Sequence, residues 1–298
     1  MSTAIFHGSI TPLPTPFRDG GRRVDLDALR RLAEFQIANG THGLSCTGTT
    51  GEPTSLSPDE RRQVISALIE AAAGRVPVLA GTGSNCTQET VELSVFAKEA
   101  GADGVLTVAP YHVKPSQQGL FEHFTAVARA VDDLPVMLYN IPGRAGVNIE
   151  PVTQKRIRDA CPNVFGIKEA NANYVQVTWD LQIAGRDWGV YSGIETLCYP
   201  MLAVGGMGHV SATGNVAPRA AADLYEHVKA GRWQDAIDLH FSMLELNDVL
   251  FIETNPGPVK FLLGEMGLID PTLRLPLVQP GPENQQKIRQ VARGYGLI

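Results

Sequence analysis

Cysteine is scarce in this chain. Cys46, Cys86, Cys161 and Cys198 are the only four in 298 residues, widely spaced and without a C-x-x-C pair. That spacing argues against a zinc ribbon or a disulfide framework and fits a reducing cytosol, so a cytoplasmic location is expected. Basic runs are missing too, and the net charge is −6, which disfavours nucleic acid and anionic membranes as partners. No stretch approaches the ~20 consecutive apolar residues of a membrane span. The opening residues, Met1-Ser2-Thr3-Ala4-Ile5-Phe6, lack the basic start and long apolar run of a secretory signal. The seven histidines show no metal-ligand spacing such as H-E-x-x-H, so no metal is expected. There is no G-x-x-x-x-G-K-[ST] loop, Gly81-Thr82-Gly83 is too short for a dinucleotide fingerprint, and no nucleophile-elbow motif occurs.

What is present is an alternation of short apolar runs with helical patterns. The chain is 44% hydrophobic and 19% charged, ordinary values for a globular protein with a sizeable core. Strands are predicted over Ser9–Leu13, Gly43–Cys46, Val76–Ala80, Gly104–Val108, Pro135–Tyr139, Val164–Lys168, Trp188–Tyr191 and His209–Ser211. Between them lie helices such as Asp25–Ile37, and one announced by Ser57-Pro58-Asp59-Glu60, a capping box with proline at the first helical position. Strands with little polar alternation are buried on both faces, as in a parallel sheet. Eight repetitions point to a (β/α)8 barrel over residues 1–230. Helical patterns over Trp233–Leu246, Pro258–Met266 and Glu283–Ala292 predict an appended helical domain, residues 231–298.

In such a barrel the chemistry gathers where strands end at the carboxyl face. The sixth strand, Val164-Phe165-Gly166-Ile167-Lys168-Glu169, runs straight into a lysine. Strict alternation places Gly166 and Lys168 on one face and Phe165, Ile167 and Glu169 on the other. Burial disfavours the charged form of an amine, and a neutral amine is the nucleophile that Schiff-base chemistry with carbonyl compounds requires. The second strand runs into Thr47-Gly48-Thr49-Thr50-Gly51-Glu52, whose hydroxyls and backbone N–H groups can hold a carboxylate. The fifth ends in Tyr139-Asn140-Ile141-Pro142-Gly143-Arg144. That offers a phenol for proton transfer and a guanidinium that can grip a carboxylate through a bidentate fork.

These motifs, with Gly166-Ile167-Lys168-Glu169-Ala170 and Asn255-Pro256-Gly257-Pro258-Val259-Lys260, resemble the dihydrodipicolinate synthase / N-acetylneuraminate lyase family along essentially the whole chain. The resemblance implies a (β/α)8 barrel with a C-terminal helical domain, a homotetramer, and a pyruvate Schiff base on Lys168. It further implies that Thr50 and the backbone around Gly51 bind the pyruvate carboxylate, that Tyr139 moves protons through a relay with Thr49, and that Gly193 and Val210 line the pyruvate pocket. Arg144 would hold the carboxylate of an aldehyde partner, as in the synthase branch.

Two positions depart from the family pattern. Pro110-Tyr111-His112 stands where the synthase has Pro-Tyr-Tyr, whose second tyrosine enters a neighbouring subunit's relay, so His112 is a candidate replacement. Pro58 and Arg61 stand where many bacterial synthases place two histidines that bind inhibitory lysine, although Asn85 and Glu89 match. The expected reaction is condensation of pyruvate with aspartate semialdehyde. The protonated imine is the electron sink, so no cofactor is needed. The alternatives are cleavage of a 2-oxo-4-hydroxy acid to release pyruvate, or a non-catalytic sensor of a 2-oxo acid.

Overall fold

The computed structural model describes residues 6–298. Eight parallel strands close into a barrel: β1 (Gly8–Pro12), β2 (Gly43–Cys46), β3 (Val78–Gly81), β4 (Gly104–Val108), β5 (Val136–Asn140), β6 (Val164–Glu169), β7 (Gly189–Ser192) and β8 (Gly208–Val210). Each pairs with the next, and β8 closes the ring on β1 through Gly8 and Gly208. Most residues of these strands are buried, which is why they lack polar alternation. A small hairpin, Phe17–Arg18 with Arg23–Val24, precedes the first helix.

Helices α1 (Leu26–Ala38), α2 (Pro58–Ala72), α3 (Thr87–Glu99), α4 (Gln117–Ala130), α5 (Pro151–Ala160), α6 (Tyr174–Ala184), α7 (Cys198–Ala203) and α8 (Pro218–Lys229) connect the strands and follow β8. The start of α2 is the capping box expected from its sequence: the Ser57 side chain accepts from the Glu60 N–H and the Glu60 carboxylate accepts from the Ser57 N–H. Beyond α8 come α9 (Trp233–Ser242), α10 (Leu244–Leu250), α11 (Gly257–Glu265) and α12 (Pro282–Gly294). Leu246, Leu250, Val259, Leu262 and Ile288 from these helices share one apolar cluster with the residues between barrel and helices.

A second cluster fills the barrel itself: Phe6, Ile10, Leu79, Leu106, Met137, Tyr139, Phe165, Tyr191 and Val210. Phe165 corrects the alternation read from the sequence. Val136 pairs with Val164, but the next residue, Met137, pairs with Gly166, so β6 carries one extra residue at Phe165. The irregularity shifts the phase of the strand. Phe165 therefore packs inside the barrel, stacked on Phe6 and edge-on to Tyr191, while Ile167 stays in the outer layer. Among the described residues no helix is long and apolar enough to cross a membrane, and no three His, Cys, Asp or Glu side chains group as a metal site.

Candidate active site

The carboxyl ends of β5 and β6 bring the lysine and the tyrosine side by side. Tyr139 and Lys168 are register partners on adjacent strands. The Lys168 Nζ lies 4.3 Å from the centroid of the Tyr139 ring, and both residues are buried. The Tyr139 hydroxyl is 3.4 Å from the Thr49 Oγ1, which belongs to the turn after β2. The phenol and the alcohol form one hydrogen-bonded pair, each able to pass or accept a proton, and the amine lies over the face of the phenol ring.

Gly193 follows β7 and makes room for that lysine. A Cβ there would lie 2.8 Å from Lys168 Cε and 2.9 Å from Ala170 Cβ, closer than carbon atoms approach. Val210, at the end of β8, packs in the barrel cluster beneath. Glu195 lies close enough for the charge of Lys168 to act on its carboxyl. Burial raises the Glu195 pKa, while hydrogen bonds from Ser211, Ala212 and Thr213 and the Lys168 charge oppose that rise.

Thr49, Thr50 and Gly51 form a single 3-10 turn, with the Gly51 N–H donating to the Gly48 carbonyl at 2.8 Å. The turn is held from both sides. The Thr15 hydroxyl donates to the Gly51 carbonyl at 2.7 Å, and the Asn255 Nδ2 donates to Thr50 Oγ1 at 3.0 Å. Beneath it the Lys260 ammonium donates to Glu52 Oε1 at 2.7 Å and to the Thr15 carbonyl at 2.8 Å. Sequence reasoning assigned no role to Asn255, Glu52 or Lys260. The Asn255–Lys260 motif was visible, but its contact with a turn 205 residues away is a property of the fold.

A cavity of about 270 Å³ opens beside this group. Thr49, Tyr139, Tyr111, Arg144, Asn255 and Arg274 are among its lining. Arg144 sits on the one-turn helix Pro142–Ala145, solvent-facing, and donates to the Asn255 carbonyl at 3.3 Å. Lys168, Thr50, Gly193 and Val210 lie outside that lining. His112 also lies outside that lining. It is exposed, with a left-handed backbone (φ 72°), while its neighbour Tyr111 lines the cavity.

A second cavity, of about 280 Å³, is lined by Pro58, Arg61, Asn85, Glu89 and Tyr111 among others. Arg61 is largely buried there, which lowers its pKa, and it donates to the Gly83 carbonyl at 3.4 Å.

With this geometry in place, the relatives are informative. A family model described as the dihydrodipicolinate synthetase family matches residues 5–294. The chain belongs to that family. It is 47% identical over 294 residues to a 4-hydroxy-tetrahydrodipicolinate synthase of Thermus thermophilus, covering 99% of this chain and 98% of that one. Among solved structures, the dihydrodipicolinate synthase of Aquifex aeolicus superposes with a TM-score of 0.96 at 42% identity, covering 98% of this chain and 99% of that one. The chloride-inhibited dihydrodipicolinate synthase of Acinetobacter baumannii, complexed with pyruvate, superposes with a TM-score of 0.94 at 40% identity, covering 98% and 99%. The likeness to the synthase branch expected from the motifs therefore holds over the whole barrel and the C-terminal helices.

Proposed function

We propose that this protein is a class I, Schiff-base-forming pyruvate lyase that condenses pyruvate with aspartate semialdehyde. The observation that carries the reading is the Lys168 amine stacked on Tyr139, with Thr49 next in line, beside a cavity that presents a guanidinium. The Lys168 nitrogen adds to the keto carbon of pyruvate. Proton transfers through Tyr139 and Thr49 let the carbonyl oxygen leave as water, giving the imine. Loss of one methyl proton to the same relay makes the enamine, whose terminal carbon attacks the aldehyde carbon, and the aldehyde oxygen takes a proton. Attack by the product's own amine, or by water, on the imine carbon then releases Lys168. Every step is nucleophilic or acid–base, so side chains suffice.

In this reading Thr50 and the backbone of its turn hold the pyruvate carboxylate. Gly193 and Val210 bound the pyruvate end beside Lys168. Arg144, at the cavity wall, is the partner for the carboxylate of the aldehyde. We infer a homotetramer in which exposed His112 reaches a neighbouring subunit's relay, a cytosolic setting, and a C-terminal helical unit, 231–298, that supports the turn carrying Thr49 and Thr50. The test of the substrate is a comparison of rates with aspartate semialdehyde and succinic semialdehyde at saturating pyruvate. Aspartate semialdehyde is expected to be used far better. Preference for succinic semialdehyde would reassign the protein to catabolic 2-oxo-4-hydroxy acid chemistry.

A further inference from the structure

Tyr139 and Lys168 are each followed by a polar residue that faces the opposite way, out of the barrel. Asn140 and Glu169 are again register partners, both shut off from solvent. The Asn140 Nδ2 lies 3.0 Å from each of the two Glu169 carboxylate oxygens and 2.8 Å from Asn148 Oδ1. One of its hydrogens is thus shared across the carboxylate while the other goes to Asn148. The Glu169 carboxylate also accepts from the Asn171 N–H at 2.8 Å and from the Gln176 Nε2 at 3.3 Å. The Asn140 Oδ1 accepts from the Ile149 N–H at 3.0 Å. No ionic partner pairs with Glu169 among the described residues: its hydrogen-bond partners are amides.

We propose that Asn140 and Glu169 are positioning residues that clamp the ends of β5 and β6 together, and so fix the separation of Tyr139 from Lys168. The proposal rests on the Schiff-base reading of Lys168. Its geometric basis is direct. Residues 139 and 140 share one strand end, as do 168 and 169, so any splaying at the outer pair moves the inner pair. Beyond the last ladder residues one backbone bond continues the pairing, from the Ala170 N–H to the Asn140 carbonyl at 2.8 Å. The carboxylate adds a side-chain tie at the same level and extends it to the loop at Asn148, the turn at Asn171 and helix α6 through Gln176. A carboxylate suits the place because three different N–H donors converge on it, and it has acceptor capacity for all of them.

The clamp predicts a division between binding and proton transfer. Imine formation also draws on the relay, but borohydride trapping run to completion counts every amine that reaches the keto carbon, however slowly. Removing a methyl proton needs the phenol at a set distance from that imine. A misplacement of about 1 Å at a reacting group costs on the order of 10²-fold. The experiment compares wild type with Asn140→Ala, Glu169→Ala, the double variant and Glu169→Gln. For each, borohydride with pyruvate counts the trapped sites, and methyl-proton exchange in deuterated water is measured per trapped site.

The expected result is near-complete trapping in all variants. Exchange should be slowed at least about tenfold in both alanine variants, little further in the double variant because the two residues act as one tie, and partly restored in Glu169→Gln, which keeps the volume and one acceptor. The Michaelis constant for pyruvate should move less than the turnover. Unchanged exchange per trapped site in Glu169→Ala and Asn140→Ala would overturn the clamp and leave the Schiff base standing. Additive losses in the double variant would overturn it as well. Absence of any adduct in wild type would overturn both readings. If Glu169→Ala does not fold, Glu169→Gln and Asn140→Ala decide the matter by the same ratios.

Discussion

Lys260 and Glu52 form a 2.7 Å ion pair in which both side chains are closed to solvent. The pair joins α11 to the residue that ends the Thr49–Gly51 turn. Burial lowers the Lys260 pKa, and the Glu52 carboxylate works against that shift. Taking away one member strands a charge in the core, which costs about 3–5 kcal/mol. Lys260→Met should therefore lower unfolding free energy by that amount in denaturant titration. Glu52→Gln combined with Lys260→Met should cost less than Lys260→Met alone, because neither charge remains. A double variant as unstable as the sum of the singles would mean the pair is not coupled.

Among the described residues Arg144 makes one hydrogen bond, to the Asn255 carbonyl, and it lines the cavity. Arg144→Ala should weaken use of a carboxylate-bearing aldehyde by about 1.5–3 kcal/mol, the worth of a charge-assisted hydrogen bond. Imine formation with pyruvate should fall much less. Steady-state kinetics on the aldehyde and trapping with pyruvate separate the two, and equal losses would make Arg144 structural.

Two buried carboxyls behind the site give the fold a pH dependence. Burial raises Glu169 to about 7 and Asp180 to about 8, with the nearby Glu169 charge adding to the rise at Asp180. Ordinary carboxyls ionise near ~4 when the chain unfolds. Between that value and the folded ones the native state holds more protons, so stability falls as pH rises and levels off above about 8. The loss approaches ~1.4 kcal/mol per pH unit for each group. Asp180→Asn should flatten the fall between pH 5 and 8, read as the change in melting temperature across that range. An unchanged slope would assign the pH dependence to other groups.

His112 tests the shared relay. A free imidazole changes charge near ~6.5, whereas a free phenol does so near ~10. If His112 serves a neighbouring site, His112→Phe slows turnover sharply, while His112→Tyr retains activity and removes an acidic limb from the pH–rate profile. Unchanged rates and profiles in both variants, with the assembly intact, would take His112 out of the chemistry.

Much of this was legible in the sequence, and the failures have local causes. Gly43–Cys46 and Gly104–Val108 have the same bounds in the prediction and the fold, because short uncharged runs bounded by turns leave little choice. The α2 start was legible because a capping box is a short-range motif. The face of Phe165 was not, because an extra residue in a strand changes the phase without a sequence mark. Helices α5 and α6 escaped the apolar pattern for a related reason. Their buried faces carry Thr153 and Gln154, and Gln176 and Asp180, while Val175 and Trp179 are exposed. Those buried polar residues include Gln176, whose amide donates to Glu169. Lys168, Tyr139 and the Thr-Thr turn, on which the proposed chemistry rests, were legible as candidates, and the fold brings Lys168, Tyr139 and Thr49 together. The supports, Asn255 on Thr50 and Lys260 on Glu52 beside the turn, come from 205 and 208 positions downstream and needed the fold.

The account stands on the amine of Lys168. Borohydride added together with pyruvate, followed by intact mass and peptide mapping, tests it most directly. The expected result is one reduced pyruvyl adduct per chain, located on Lys168 and lost in Lys168→Ala. An adduct on another lysine, or none under conditions where the protein turns over, would contradict it.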